Sequence, residues 1–261
     1  MRFLNSWLNK SFGHAISLGN QDNPARGLFV LGTDTDVGKT YVACLLVRYL
    51  AEQFHGQAGR QWGWKRGVGV YKPVASGWLP PQPGDPEHLL AATGQNWPME
   101  RVCPQRFRAP LAPHLAAERE GRRVDPDLLL TGAQWWQQQC DLLVVEGAGG
   151  ALSPLSSHST VLDLAVQLKY PVILIAEHRL GMMNHILLTR EAIERRGLEC
   201  LALIINEVRP PAERHKDWPV LGESLAGLAP FCGNLPCWIS LYAGSTLSPA
   251  ATYDTMSHWK S

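Results

Sequence analysis

The sequence predicts an α/β domain in which a mostly parallel β-sheet is covered by helices on both faces. Two observations carry that expectation. Short runs rich in Val, Ile and Leu alternate along the chain with longer stretches of helical period, and the runs are apolar at nearly every position instead of alternating in polarity. A strand that is apolar on both sides is buried on both sides, which a sheet achieves when crossover helices pack against each face. The strand-like runs are residues 27–31, 68–71, 142–145, 172–176 and 201–205. Between them, residues 41–54, 125–139, 161–168 and 183–196 carry apolar positions at helical spacing, and Thr160 and Asp163 are spaced as a capping box at the start of the third. In such sheets ligands bind beyond the carboxyl ends of the strands, so the residues that follow each strand are the ones to read for chemistry.

Composition narrows the partners. A chain of 261 residues with 45% hydrophobic side chains can bury one sizeable core, and a single domain over residues 27–261 is expected, preceded by an N-terminal extension over residues 1–26 that shows no clear period. Lys and Arg number 24 against 23 acids, so no whole-chain field recruits nucleic acid or an anionic membrane, and a small-molecule partner is expected. The six cysteines, Cys44, Cys103, Cys140, Cys200, Cys232 and Cys237, form no CxxC pair or disulfide framework, which fits a reducing, cytoplasmic setting. The apolar runs are too short to span a bilayer, and residues 1–26 lack the apolar stretch and cleavage site of a signal peptide. Residues 53–67 read as a surface crossing. Arg60, Lys65 and Arg66 interleave there with Trp62 and Trp64, a mixture able to stack and pair with single-stranded nucleic acid, but the cluster is short and unsupported elsewhere, so a solvated loop is expected.

Three strand ends carry the chemistry. After the first strand comes Gly32-Thr33-Asp34-Thr35-Asp36-Val37-Gly38-Lys39-Thr40, a phosphate loop between a strand and a helix. Backbone NH groups turned inward and the helix N-terminus cradle phosphate, Lys39 neutralises its oxygens, and the Thr40 hydroxyl is placed to ligate magnesium. Five residues separate Gly32 from Gly38 where the usual pattern has four, so Thr33 stands in the place of the first glycine. After the second strand, Pro73 biases Lys72 towards an extended conformation, carrying a second ammonium off the strand end towards the phosphates. After the third, Glu146 precedes Gly147-Ala148-Gly149-Gly150: an acid at a strand tip suited to magnesium, then a glycine loop able to pass close to a nucleotide. Backbone donors, two lysines, a hydroxyl and an acid make an inventory for phosphoryl transfer in a P-loop NTPase-like fold.

GTDTDVGKT, YKPVASG, VVEGAGG, the stretch Leu180-Gly181-Met182-Met183-Asn184-His185 and the stretch Ala112-Pro113-His114 resemble, in order and near spacing, the motifs of the dethiobiotin synthetase family, over about residues 28–238. The longer phosphate loop is itself a feature of that family. The resemblance implies an ATP- and magnesium-dependent ligase that takes 7,8-diaminopelargonate, CO2 and ATP through a carbamate and a carbamic-phosphoric anhydride to dethiobiotin, ADP and phosphate. It implies Lys72 and Lys39 as catalytic lysines and Ser76 as a contact to the diamine. Asp36, Val37, Gly38, Lys39 and Thr40, with Glu146, Gly147, Ala148 and Gly149, would hold the nucleotide. Thr40 and Glu146 would ligate magnesium together with an acid after YKPVASG, Asp85, with Glu87 as the alternative. Asn206 resembles the family's base-reading asparagine, and Leu235-Pro236-Cys237 its later nucleotide-contacting loop, with Cys237 where an aromatic is often found. Asp36 replaces a glutamate seen in some members. The family is generally homodimeric, and Gly181, Met182, Met183 and Asn184 resemble the helix-start turn that binds the substrate carboxylate across the interface, as helix N-termini favour. The two methionines, read without the family, fit core or interface packing, and His114 and His185 fit hydrogen-bonded structural roles.

Two other readings share the fold. A ParA/MinD-like ATPase switch, which acts by ATP-gated dimerisation, would carry an additional lysine early in the phosphate loop, and none occurs between Gly32 and Gly38. An amidotransferase-type ligase would need a glutaminase domain, for which residues 207–261 are too few.

Overall fold

The computed structural model describes residues 26–55, 66–210, 213 and 218–240. The N-terminal extension up to residue 25 and the loop residues Arg60, Trp62, Trp64 and Lys65 lie outside the described residues. In chain order the elements are β1 (Arg26–Gly32), α1 (Lys39–His55), β2 (Val68–Tyr71), β3 (Val74–Ala75), α2 (Asp85–Thr93), α3 (Met99–Val102), β4 (Gln105–Arg106) and α4 (Pro113–Arg119). They continue with α5 (Pro126–Gln139), β5 (Leu142–Gly150), α6 (Val161–Leu168), β6 (Val172–Glu177), α7 (Met182–Arg195), β7 (Cys200–Asn206), α8 (Leu221–Cys232) and β8 (Cys237–Ser240).

Six strands form one sheet in the order β2-β5-β1-β6-β7-β8, parallel throughout, and β3 and β4 form a separate two-stranded parallel pair. The sheet is the predicted one, extended by β8. Because the chain places β2 and β5 on one side of β1 and β6 on the other, the carboxyl ends of β5, β1 and β6 meet at a topological switch point, where open α/β sheets bind ligands. The apolar runs are buried as expected: Leu28, Phe29, Val30, Leu31, Val144, Val145, Leu174 and Ile175 lie in the core. The glycine stretch after Glu146 differs from the expected loop, since β5 runs on through Gly150, with a register shift against β1 between Val30 and Gly32. Helices α2 to α4 are too short for a helical period to show, and α8 contains Pro230, so none of them was legible as a repeat.

The segment that leaves β2 is held in place by its neighbours. Lys72 N donates to Val102 O at 2.8 Å, Phe107 N to Ala75 O at 2.9 Å and Trp78 N to Phe107 O at 3.0 Å, so residues 72–78 form a strip fastened to α3 and to the end of β4. Behind that strip α5 packs closely on β2. Tyr71 Oη donates to Leu129 O at 2.9 Å, and a Cβ on Gly132 would stand 2.2 Å from Tyr71 Oη. Alanine is favoured over glycine within a helix by about 1 kcal/mol, whereas overpacking costs about 1–3 kcal/mol. Packing decides the sign here: Gly132→Ala is expected to lower stability by about 1 kcal/mol or more, read as a reduced urea midpoint with unchanged slope.

The capping box at α6 is formed. Thr160 N donates to Asp163 Oδ2 at 2.7 Å, Asp163 N to Thr160 Oγ1 at 3.3 Å, and Arg196 Nη1 to Asp163 Oδ1 at 2.6 Å. Hydrogen bonds from the Thr160 backbone and hydroxyl, with the Arg196 guanidinium, hold the Asp163 carboxyl below its usual range. A carboxyl depressed in the native state stabilises fully above its unfolded pKa, about 3.9, and loses that contribution as pH falls through the lower native value. Asp163→Ala is therefore expected to cost about 1 kcal/mol at pH 7, with the gap to the native chain closing as urea melts are taken below about pH 4.

Candidate active site

The phosphate loop leaves β1 tied to the neighbouring strand, with Thr33 N donating to Ile175 O at 2.8 Å. Asp36 and Gly38 take the left-handed conformation, with φ of +58° and +81°, and turn the loop back on itself before α1 begins at Lys39. Gly38 has a second reason to lack a side chain: a Cβ there would lie 2.1 Å from Asn206 Nδ2. That amide donates to Val37 O at 3.1 Å, so the asparagine at the end of β7 is fastened to the loop. Lys39 is buried, and its Nζ donates to Asp34 O at 2.8 Å. Burial, reinforced by the like charge of Lys72, brings the Lys39 ammonium down to about 8.

Lys72 stands at the end of β2 with only 3% of its surface exposed, and Glu146, on the neighbouring strand β5, is fully buried. The Lys72 ammonium donates to Glu146 Oε1, to Asp85 Oδ2 at 2.8 Å and, at 3.4 Å, to Gly147 O. Thr40 Oγ1 donates to the same Glu146 Oε1 at 2.7 Å. Burial pulls against an ion pair, lowering the ammonium and raising the carboxyl, and Glu146 is indeed raised by it. At Lys72, however, two carboxylates on one nitrogen outweigh burial and the net shift is upward, so the proton stays on the lysine. Burial also opposes ionisation of Asp85, but Lys72 and the Thr40 hydroxyl hold that carboxyl below its usual range.

These contacts separate the two acids that the sequence leaves open. Asp85 opens α2 and reaches Lys72, while Glu87 is turned away, accepting from Gly84 N at 2.9 Å and facing Arg106 Nη1 at 3.7 Å. Thr40, Asp85 and Glu146 thus surround one point. Glu146 Oε2 is buried there without a hydrogen-bond partner, an acceptor of the kind a cation satisfies. Three oxygen donors, two of them carboxylates, suit magnesium, so the residues present fit the ion.

The remaining predicted residues divide. Ser76 sits half-buried just past β3, on the strip that carries Lys72. Gly181 is the N-cap of α7 in the left-handed conformation, with φ of +86° and no side-chain cap. Met182 is buried in the core, whereas Met183 and Asn184 face outward. His185 has a partner, its Nδ1 lying 3.3 Å from Arg179 Nη2. His114 departs from expectation, since its Nδ1 is buried with no hydrogen-bond partner. Leu235, Pro236 and Cys237 are not brought to the site. The register pairs Cys237 with Leu203 and Ser240 with Asn206, so the predicted nucleotide loop enters β8 at the amino end of the sheet, and the β8 residue level with Asn206 is Ser240. Likeness of a short Leu-Pro stretch fixes neither register nor strand end, which is why the sequence misplaced it. The sequence also passed over a charged group beside the phosphate loop formed by Asp34, Glu177 and Arg179. The signal for it was the run of charged residues directly after the β6 apolar core.

A family model described as an AAA domain matches residues 26–230. An ATP-dependent dethiobiotin synthetase of Anaeromyxobacter dehalogenans is 45% identical over 185 residues, covering 71% of this chain and 78% of that protein. The chain belongs to the dethiobiotin synthetase family. Other dethiobiotin synthetases agree: one from Caulobacter vibrioides is 40% identical over 70% of this chain and 80% of its own, and one from Escherichia coli O157:H7 is 36% identical over 75% and 88%. Among solved structures, the kinase domain of the Escherichia coli tyrosine kinase ETK aligns with a TM-score of 0.41 at 16% identity, over 82% of this chain and 84% of that one.

For this family member the geometry makes a direct expectation about the cation. Glu146→Gln keeps the shape of the buried side chain but removes its charge, and is expected to weaken magnesium binding by about tenfold or more, measured by calorimetric titration of magnesium into the protein with ADP present. Unchanged magnesium affinity in that variant contradicts the assignment of Glu146 as a ligand.

Proposed function

We propose that the protein is a dethiobiotin synthetase that closes a cyclic urea on 7,8-diaminopelargonate with CO2 and ATP, releasing ADP and phosphate. The family is one of ATP-dependent ligases, and the observation on this chain that supports the reading most strongly is the buried Lys72 ammonium, placed beside the phosphate loop by Glu146 and Asp85. Loop, lysines and the β5 acid Glu146 converge at the switch point of the sheet, where transfer of a phosphoryl group needs positioning and cations more than covalent help.

On this reading one amine of the diamine adds to CO2, losing a proton to become a carbamate. A carbamate oxygen then attacks the γ-phosphorus of ATP, the bond to the β-phosphate oxygen breaks, and ADP leaves with that electron pair. The second amine attacks the carbamoyl carbon of the resulting anhydride, expels phosphate and closes the ring. Lys39 orients and neutralises the β- and γ-phosphate oxygens. Lys72, kept protonated by its two carboxylates, meets the negative charge that develops on the carbamate and the transferring phosphoryl group. Asn206, held by Val37 O, reads the base with an amide that both donates and accepts. Thr40, Asp85 and Glu146 would hold magnesium, which when bound neutralises phosphate charge and orients the terminal phosphate. Ser76 lies on the same strip as Lys72 and suits a contact to the diamine, and the uncapped start of α7 at Gly181, with Met183 and Asn184 facing out, suits its carboxylate.

The reading extends to a homodimer in the cytoplasm. The exposed Leu180, Met183 and Leu188 at the start of α7 and along it are an apolar surface of the kind a second subunit covers. Among the described residues the six cysteines form no disulfide, which suits a reducing compartment. No helix among the described residues is long and apolar enough to cross a membrane.

The test is phosphate release from ATP with magnesium and bicarbonate, with and without 7,8-diaminopelargonate, joined to mass analysis for dethiobiotin. Diamine-dependent release with the product upholds the reading. Hydrolysis indifferent to the diamine, with no product, rejects it in favour of an ATPase switch. Lys72→Ala is expected to reduce dethiobiotin formation by about a hundredfold or more while MgADP affinity stays within about threefold, checked by the same assay and by calorimetry.

A further inference from the structure

Arg179 lies in none of the motifs that mark the site. It occupies the short connection between β6 and α7, and its guanidinium meets three elements. Nη2 donates to Asp34 Oδ2 at 3.2 Å in the phosphate loop and lies 3.3 Å from His185 Nδ1 in the first turn of α7. Nε faces Glu177 Oε2 at 3.3 Å at the tip of β6. The other oxygen of Glu177 accepts from Arg209 Nε at 3.3 Å, on the chain that follows β7, so Glu177 is itself held from a second side.

Asp34 is the phosphate-loop residue through which this group acts on Lys39. Its carbonyl accepts from Lys39 Nζ at 2.8 Å, and its Oδ1 accepts from Thr35 N at 2.7 Å. One carboxylate oxygen therefore shapes the loop from within while the other is gripped from β6. The side chains of Arg179 and Asp34 are 32% and 51% exposed, and ion pairs this open to solvent add little to stability. What a guanidinium offers instead is direction: a planar fork can satisfy Asp34 and Glu177 at once and so fix the first relative to the second.

We infer that Arg179 is a positioning residue that braces the phosphate loop against the end of β6 and the start of α7, setting Asp34, and through it Lys39, for nucleotide phosphates. The inference rests on the proposed reading of this loop as the ATP site. Arg179 touches none of the reacting groups on this account. It acts through Asp34, and an unbraced loop binds nucleotide more weakly because ordering it is left to the binding step.

Asp34→Asn isolates the link. The amide oxygen still accepts from Thr35 N, but an NH2 group replaces the oxygen that Arg179 grips. In the full chain, Arg179→Ala and Asp34→Asn are each expected to weaken MgADP binding, measured by calorimetry, about tenfold, the effect of one charge-assisted hydrogen bond. KM for ATP rises by a similar factor, kcat stays within about threefold, and the double variant is no weaker than either single one, because both remove the same link. Arg179→Lys, which keeps the charge but not the fork, recovers part of the affinity. Melting temperatures stay within about 2 °C of the native chain, as expected for an exposed pair. Unchanged MgADP affinity in Arg179→Ala, or a double variant weakened about a hundredfold as two independent losses would give, overturns the inference. Calorimetry with MgADP does not involve the diamine. A native chain that binds MgADP but forms no dethiobiotin thus fails the ligase reading alone, and the variants still report on the brace.

Discussion

Two lysines enter the interior of this protein close enough for Lys72 to depress Lys39, and much of the site follows from how that charge is balanced. Lys72 is compensated twice over, by a fully buried glutamate and by an aspartate from α2. Removing one member of a buried pair leaves an uncompensated charge at a cost of about 3–5 kcal/mol, so the strand ends of β2 and β5 and the start of α2 are bound to one another electrostatically as well as by packing. Lys39 is treated differently. Its hydrogen bond goes to a neutral carbonyl, and burial with a neighbouring cation brings it down to about 8. One lysine has its counter-charge built into the fold and the other stands where an anion is favourable. This is the asymmetry that a phosphate-binding loop beside a protonated lysine requires.

The same balance explains the position of the acids. Glu146 serves Lys72 and Thr40 through one oxygen and leaves the second buried and unpartnered, while Asp85 approaches from the more open side with half its side chain exposed. A cation placed between them would relieve the orphan oxygen and share carboxylates with Lys72. Lysine and metal would then be neighbours on the same two acids, the position of each constraining the other.

The parts of the fold legible in the sequence are those where burial on both faces forces a continuous apolar run, as in β1, β5, β6 and β7, or where a cap leaves its own spacing, as Thr160 and Asp163 do for α6. Residues 147–150 read as a loop because glycine weakens strand signals, yet the backbone continues the ladder beside β1, so that Glu146, expected at a strand tip, stands within β5. Composition near a motif also leaves register undetermined. The sequence favours Asp85 over Glu87 only by a loose local likeness, whereas in the structure the backbone of Gly84 and the side chain of Arg106 occupy Glu87 and leave Asp85 on Lys72. Cys237 shows the same limit at the other end of the sheet, three positions along the ladder from the residue that faces Asn206. For Asp34, Glu177 and Arg179 the sequence offered only the charged run after β6, because no local spacing records a contact across 145 positions of chain.

Gly38 shows how closely nucleotide and fold are joined in this family member. Its left-handed backbone alone would favour glycine, and the Asn206 amide 2.1 Å from where a Cβ would sit excludes any other residue independently. The asparagine approaches so closely because it donates to Val37 O, one residue earlier in the loop. The phosphate loop is thereby held by the end of β7 through Asn206, by β6 through Thr33 N, and by the connection after β6 through Arg179. A loop fastened at three points to the ends of two strands and the connection between β6 and α7 is ordered before any ligand arrives, and preordering of this kind is what allows backbone NH groups to act as an anion site instead of a flexible glycine turn.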